Sequence, residues 1–249
     1  LAEDKYPFEA LPNADHIQLA LDWWSASHDA LDQQGLPTKF NVLYNYGLGP
    51  SYPETTGYTL NTLLAMLRNW DQVESLTGSR QLTPIERAEV GRITRNSFDW
   101  LHSIQFENGA WTGGHAALHN YGTPSVFNTG QILLGMVDVY HSLNQQKIAD
   151  DAFAGIDLED LRERCQRAAY WLRDQLQSDG AFSPKHAYTE TPLTYYSRSM
   201  YGALNTAIFL GDDALKAAIK PHYDWVTSMQ ETSGWINHWG FEQDWAVMH

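Results

Sequence analysis

Trp100-Leu-His-Ser-Ile-Gln-Phe-Glu-Asn-Gly109-Ala-Trp111 recurs along the chain in altered form, first from Trp171 to Gly180 with Phe182 and then from Trp225 to Gly234 with Trp235. In each of the three copies a Gly follows a helix-borne Trp by nine residues, and an aromatic stands one or two positions further on. A spacing kept three times marks a structural repeat. A second motif precedes each copy, in Tyr52-Pro-Glu-Thr-Thr-Gly-Tyr58, Val126-Phe-Asn-Thr-Gly-Gln131 and Thr194-Tyr-Tyr-Ser-Arg198. An apolar, helix-like run follows every one of them. The repeating unit is therefore a turn, an inner helix, an outer helix and a Gly-aromatic turn.

Helix signals outward from these copies are of two kinds. Thr83-Pro84-Ile85-Glu86 sets a capping hydroxyl before a Pro at the first helical position and a Glu at the third, which predicts a helix to about Gln105. Ile85, Ala88, Ile93, Leu101 and Ile104 fall on one side of it and Arg87, Glu89, Arg92 and Arg95 on the others, so that helix has a wet face. Asp157, with Glu159 and Asp160, opens a second amphipathic helix toward Leu176. Asp212 or Asp213 opens a third toward Gln230, with a kink or break expected near Pro221. An N-terminal helix over about residues 14–34 carries Trp23 and Trp24.

The runs Thr59–Trp70, Gln131–Leu143 and Ser199–Leu210 are apolar on nearly every face, as helices buried on all sides are. Alternation of such helices with amphipathic ones predicts two concentric layers of hairpins: an all-α, (α/α) toroid. The expected organisation is a single domain over residues 1–249, with repeat units at about 50–111, 124–182 and 193–235. These are fewer hairpins than a closed ring needs, so the toroid reads as incomplete, to be completed by a protein partner or a missing segment. Phe40-Asn-Val-Leu-Tyr-Asn-Tyr46 alone alternates, and it reads as a short hairpin arm or loop near the pocket.

Composition narrows the partners. The net charge of −14, from 16 basic and 30 acidic residues, repels polyanions and argues against nucleic acid or an anionic membrane surface. The longest apolar stretch, Ile132–Val139, is interrupted by Gly135 and Asp138 and is far short of the roughly 20 residues of a membrane span, so no membrane insertion is expected and the chain reads as soluble. The single cysteine, Cys165, lies mid-helix and allows neither an internal disulfide nor a Cys-based metal site. The chain opens on Leu1 rather than Met, as a processed or excerpted sequence would, and its compartment is not legible. Ten Trp and thirteen Tyr exceed what a helical core of this size requires, so some are expected to line a surface that binds something flat.

In a toroid the segments before the inner helices open onto one end of the ring. That end is expected to gather Tyr44, Tyr46, Tyr52, Glu54 and Tyr58 from the first unit. The second unit adds Trp111, His115, His119, Tyr121 and Asn128, and the third adds Tyr195, Tyr196 and Arg198. Trp235, His238, Trp239, Asp244 and Trp245 are expected to close it.

At these motifs, over about residues 50–240, the chain resembles the α/α-toroid proteins grouped with terpenoid cyclases, protein prenyltransferases and carbohydrate-active (α/α) barrels. It looks most like bacterial proteins encoded beside polysaccharide-biosynthesis genes, which carry similar Tyr-Pro-Glu-Thr-Thr-Gly, Phe-Asp-Thr-Gly-Gln and Tyr-Asn-Thr-Arg turns. The resemblance implies the toroid fold and a carbohydrate partner. This sequence departs from it at Asn128, where an Asp is usual, and at Ser197, where a Thr is expected. An Asp-x-Asp-Asp acid motif like that of squalene-cyclase-like enzymes does not occur. The lone Cys165 is badly placed for the zinc of prenyltransferases or lanthionine cyclases, and no cofactor is expected.

Among candidate groups, Glu54 stands at the start of an inner helix between Tyr52 and Tyr58, where aromatic walls raise a carboxyl toward the range of a general acid. It equally fits a helix N-terminal Glu held by the local dipole. Asp244 is the second carboxylate, and a pair across a cleft suits glycoside hydrolysis. His115, His119 and Tyr121 share a Gly-rich loop, and a His with a Tyr there suits base and acid roles in a uronate lyase or C5-epimerase. Arg198 would then neutralise the uronate carboxylate, or else pair structurally with Glu54. Two His four apart, with no third ligand nearby, do not make a metal site. Trp111, Trp235 and Trp239 lie on turns, where indole stacks on the apolar faces of sugar rings; Tyr52, Tyr58, His119, Asn128 and Tyr196 complete the candidate binding set. The expected function is glycoside hydrolysis with Glu54 as acid. Lyase or epimerase chemistry, non-catalytic polysaccharide binding or scaffolding, and an isoprenoid enzyme of terpenoid-cyclase type stand as alternatives.

Overall fold

The computed structural model describes residues 13–41, 47–77, 86–114, 121–148, 151–187 and 192–240. The described chain is mostly helical: α1 (Asn13–Ala30), α2 (Pro53–Arg68), α3 (Trp70–Thr77), α4 (Arg87–Ser103), α5 (Val126–Asn144), α6 (Leu158–Asp174), α7 (Ser197–Leu210) and α8 (Asp213–Ser228). Among the described residues strand is confined to two-residue segments, β1 (Phe40–Asn41) and β2 (Gly47–Leu48), paired antiparallel with Phe40 opposite Leu48.

The helices form two layers. In one, α2, α5 and α7 run parallel: Asn61 and then Arg68 reach Asp138, with Arg68 continuing to Ser142 one turn on, and His141 stacks on Phe209. In the other, α1, α4, α6 and α8 run parallel through Ser25 to Glu89, His102 to Asp160, and Gln166 with Tyr170 to Asp212. The layers run in opposite directions, since α7 turns into α8 through Gly211 and Asp212 alone, and the C-terminal end of α2 meets the start of α4 where Arg87 donates to the Leu67 carbonyl.

Glycine sets the spacing of the first layer. A Cβ on Gly57 would stand 2.7 Å from the Cα of Ile132, and one on Gly135 would stand 2.6 Å from the Gly57 carbonyl oxygen. The same contact recurs one helix on, where Gly130 meets the Ser199 backbone and Gly202 meets the Gly130 carbonyl. Backbones at this distance bring long ridges of Leu, Ile and Met into register, and α5 between its two neighbours is buried along most of its length.

The Gly-aromatic turns share one construction. Phe106, Gln177 and Glu231 each donate an amide to the carbonyl four residues on, at 2.9, 2.8 and 2.7 Å. Asn108, Asp179 and Ser233, directly before the Gly, each accept from the amide two residues on. The Gly takes φ of +93°, +92° and +89°, which side chains rarely adopt. Gly109 lies against the Arg167–Ala168 backbone of the next α6, and Gly180 against Pro221 and His222 of α8. Open space surrounds Gly234.

Several expectations are corrected here. Glu86 is the extended residue before α4, with φ −85° and ψ 152°, rather than its third helical position; Thr83, Pro84 and Ile85 lie outside the described residues. The N-terminal helix ends at Ala30, because Asp32 and Gln33 take φ of 54° and 61°. Helix α8 runs unbroken through Pro221. By backbone register it is Ile236 that matches Trp111 and Phe182, while Trp235 takes the place of Ala110 and Ala181. Helix α7 is not buried all round, since Tyr201 and Ile208 are each 50 % exposed on the side away from α5. Asp157 and Asp212 cap α6 and α8 as expected.

Two outcomes follow. Gly180→Ala and Gly234→Ala impose the same backbone strain, but only the first drives a methyl into Pro221. Urea denaturation should therefore show Gly180→Ala less stable than Gly234→Ala by about 1–3 kcal/mol. Neutral His222 donates Nδ1–H to the Gly180 carbonyl at 2.9 Å. Burial pushes its pKa down from 6.5 to about 4. Between those values the unfolded chain binds the proton and the folded chain does not. Its contribution is thus complete above pH 6.5 and is lost as pH falls toward 4. Urea midpoints of the wild type should drop across that window, and His222→Gln should flatten the drop.

Candidate functional site

Because α2, α5 and α7 are parallel, their N-terminal ends share one face of the molecule. Hydroxyls pin the preceding turns to them. Thr56 Oγ1 accepts from the Leu36 amide at 2.9 Å, and Thr129 Oγ1 accepts from the Trp111 amide, also at 2.9 Å. Before α7, Thr194 donates its amide to the His238 carbonyl and its hydroxyl to that of Asn237, which draws the segment carrying Trp239 onto the start of the helix.

A side-chain cluster is built on this face. Glu54, in the first turn of α2, accepts hydrogen bonds from the Tyr52 and Tyr58 hydroxyls. Arg198, in the first turn of α7, donates Nη1–H to the Tyr195 hydroxyl at 2.8 Å. Its guanidinium stands 5.5 Å from the centre of the Tyr58 ring and 5.4 Å from that of Tyr195. Tyr195 stacks on Phe127 of α5 at 5.2 Å and meets Trp239 edge-on at 5.3 Å. Residues from α2, α5, α7 and the 237–240 segment thus form one aromatic-walled polar cluster.

Its electrostatics make the carboxyl of Glu54 a weaker acid than usual. Burial raises the Glu54 pKa above the ordinary carboxyl value, while the Tyr52 and Tyr58 hydrogen bonds and the Arg198 charge pull it back less strongly. Burial and the Glu54 charge push the Tyr58 phenol far above its ordinary value, so it acts as a donor and not as a base.

The structure brings together Glu54, Tyr52, Tyr58, Arg198 and, through Tyr195, Trp239. Three candidates are instead structural. Trp111 is fully buried, donating Nε1–H to the Leu101 carbonyl at 2.7 Å. Asn128 is also fully buried and donates its amide to the Thr112 carbonyl at 3.0 Å. Tyr196 is fully buried against Phe127 and Phe182. Tyr121 and Trp235 are exposed side chains on the loop before α5 and on the third turn, outside the network of Glu54 and Arg198. His115, His119 and Asp244 lie outside the described residues, as do Tyr44, Tyr46 and Trp245.

Sequence reasoning did not single out Phe127 or Gln131 as site residues, although Gln131 ends the quoted motif. It also missed a cleft of about 310 Å³ beside the start of α5, lined by Gly113, Thr123, Pro124, Ser125, Lys185, His186 and Ala187. His186 is hydrogen-bonded to the Pro124 backbone there, and its ring lies 5.5 Å from that of Trp171. The local signal was Ser183-Pro-Lys, in which the Ser hydroxyl accepts from the Lys185 amide and starts a short helical turn. Among the described residues no group of three His, Cys, Asp or Glu is placed to hold a metal ion, and no helix is long and apolar enough to cross a membrane. No protein-family model matches the chain, and no curated protein matches it either.

The raised Glu54 pKa has a stability consequence. A half-buried carboxyl that resists ionisation destabilises the fold once pH exceeds its unfolded value of 4.5. Glu54→Gln should therefore raise the melting temperature at pH 7 and leave it unchanged at pH 4, as read by scanning calorimetry at the two values.

Proposed function

We propose that this chain is a carbohydrate-active protein that hydrolyses a polysaccharide or oligosaccharide, with Glu54 as the general acid. The observation that carries this reading is the convergence of Glu54, favoured in its acid form by burial, with Tyr52, Tyr58, Tyr195, Trp239 and Arg198 on one face of the helical layers. An uncharged carboxyl is a proton donor to a glycosidic oxygen. Aromatic walls stack on sugar rings. The two opposed layers of parallel helices support an arc of an α/α toroid with this cluster at its mouth.

Neighbouring chemistry weighs on the alternatives. Three phenolic hydroxyls and a guanidinium around Glu54 are unsuited to the apolar cavity of an isoprenoid cyclase. Asn128 stands where the resembling proteins carry an Asp, and a purely scaffolding role would make it a lost carboxylate. Its amide donates to the Thr112 carbonyl, a bond an ionised carboxylate could not make, so the Asn has a packing role of its own at this position. Lyase or epimerase chemistry shares Arg198 with the hydrolytic reading and would draw its base from the His115 loop.

Reducing-end release and ligand binding measured together test the assignment. Glu54→Gln should lower turnover of a cleavable oligosaccharide by about 10²–10⁴-fold while leaving its affinity within a few-fold. Turnover unaffected by the change would remove Glu54 from the chemistry. Binding without turnover in the wild type would make the protein a polysaccharide-binding one, and no binding of any oligosaccharide would end the carbohydrate reading.

A further inference from the structure

Resting on the carbohydrate reading of this site, we infer that its ligand is an acidic polysaccharide whose sugar carboxylates are bound by Arg198 and Gln131. Two unmet bonding capacities, found together, carry the inference. Among the described residues, seven arginines stand within ion-pair distance of an Asp or Glu. Arg198 makes no such pair among the described residues, although acidic groups outnumber basic ones by 30 to 16 in this chain. It is exposed, with its plane steadied by two tyrosine rings and one of its five N–H donors spent on a neutral hydroxyl.

Gln131 supplies the second. It is 2 % exposed, and its Nε2 has no hydrogen-bond partner among the described residues. Its position follows from the glycine contacts. Gly57 and Gly130 each lie against the next helix of the layer, with Gly135 and Gly202 in equivalent places, so Tyr58, Gln131 and Arg198 occupy one register on α2, α5 and α7. Tyr58 and Arg198 belong to the two outer helices of that trio, and their side chains meet across α5 at the level of Gln131. A buried amide donor without an acceptor is destabilising until a ligand oxygen reaches it.

A planar carboxylate meets both needs, one oxygen on the free guanidinium edge and the other on the amide. A neutral sugar hydroxyl satisfies the amide and leaves the guanidinium charge unmatched. Glu54 in its acid form donates toward such a ligand and does not repel it.

Calorimetric titration at physiological salt decides the matter, with oligogalacturonate and oligomannuronate each compared with its neutral counterpart of equal length, and dextran sulfate as a third arm. At least one uronate should bind about tenfold or more tighter than its neutral counterpart, and Arg198→Gln and Gln131→Leu should each cut that ratio by about tenfold. Arg198 is exposed, so its variant folds and carries the test even where Gln131→Leu does not. Neutral sugars that bind as tightly as both uronates would overturn the inference and leave the carbohydrate reading standing. Dextran sulfate bound as tightly as the uronates would also overturn it, by assigning the preference to net charge. Binding of none of these sugars would overturn the carbohydrate reading itself.

Discussion

Helix α5 is held between α2 and α7 by contacts in which backbone meets backbone. Gly57 against Ile132, Gly135 against the Gly57 carbonyl, and the matching pair at Gly130 and Gly202 leave no room for a methyl group. Side chains that interdigitate tolerate some sliding; backbone atoms in contact do not. The register of the three helices is thereby fixed to within a fraction of a turn. Everything mounted on their first turns inherits that precision. Tyr58 and Arg198 sit on helices that are not neighbours in the layer, yet they meet at 5.5 Å because both are locked to α5. The partly buried Asn61, Arg68, Asp138 and Ser142 network further along the same interface adds directional bonds that a slipped register would break.

The second layer is fixed differently. Its helices touch through the Gly-aromatic turns, the first two of which lay a strained Gly, Gly109 and Gly180, on the backbone of the next helix. His222 clasps the Gly180 carbonyl, and His28 clasps that of Gly35 in the same way. In both, the far ring nitrogen is buried without a partner and burial lowers the pKa, so these imidazoles are neutral struts. The motif that announced the repeat is thus a fastener between successive units, and its aromatic is a buried plug. Trp111 and Phe182 accordingly face the core, whereas Trp235, one residue before their equivalent position, is exposed on a turn whose Gly234 has no helix beside it among the described residues.

This double use of each motif explains how far the sequence was legible. Helix type, capping at Asp157 and Asp212 and the repeat itself follow from local spacing, and they agree with the described helices. Within Tyr52–Tyr58 and Thr194–Arg198, though, adjacent residues point about 100° apart on a helix, so one faces the packed interface and the next the open end. Spacing alone does not say which. Tyr196 was therefore grouped with Arg198 although it is fully buried, and Gln131 was passed over beside Asn128. The third turn was misaligned by one residue for a related reason: its register is set by the Glu231 amide bonding to the Trp235 carbonyl, a backbone property that the placing of aromatics does not encode. Likewise the apolar composition of α7 described what its faces offer, and the absence of a further neighbouring helix among the described residues decides that Tyr201 and Ile208 stay wet.

The cluster around Glu54 turns on a balance that a small displacement would reverse. Burial makes ionisation of this carboxyl unfavourable, and the Tyr52 and Tyr58 hydroxyls compensate only in part, since a neutral donor stabilises a carboxylate less than a cation does. Had Arg198 reached Glu54 directly, the resulting ion pair would have pulled the carboxyl below its ordinary value and left it without a proton to give. The guanidinium is instead engaged by the Tyr195 hydroxyl and the faces of two rings, close enough for its charge to act on Glu54 and not bonded to it. The Tyr residues therefore do more than wall the site. By engaging the acid and the cation separately, they keep a carboxyl whose pKa burial raises beside a cation that has no acidic counter-ion among the described residues.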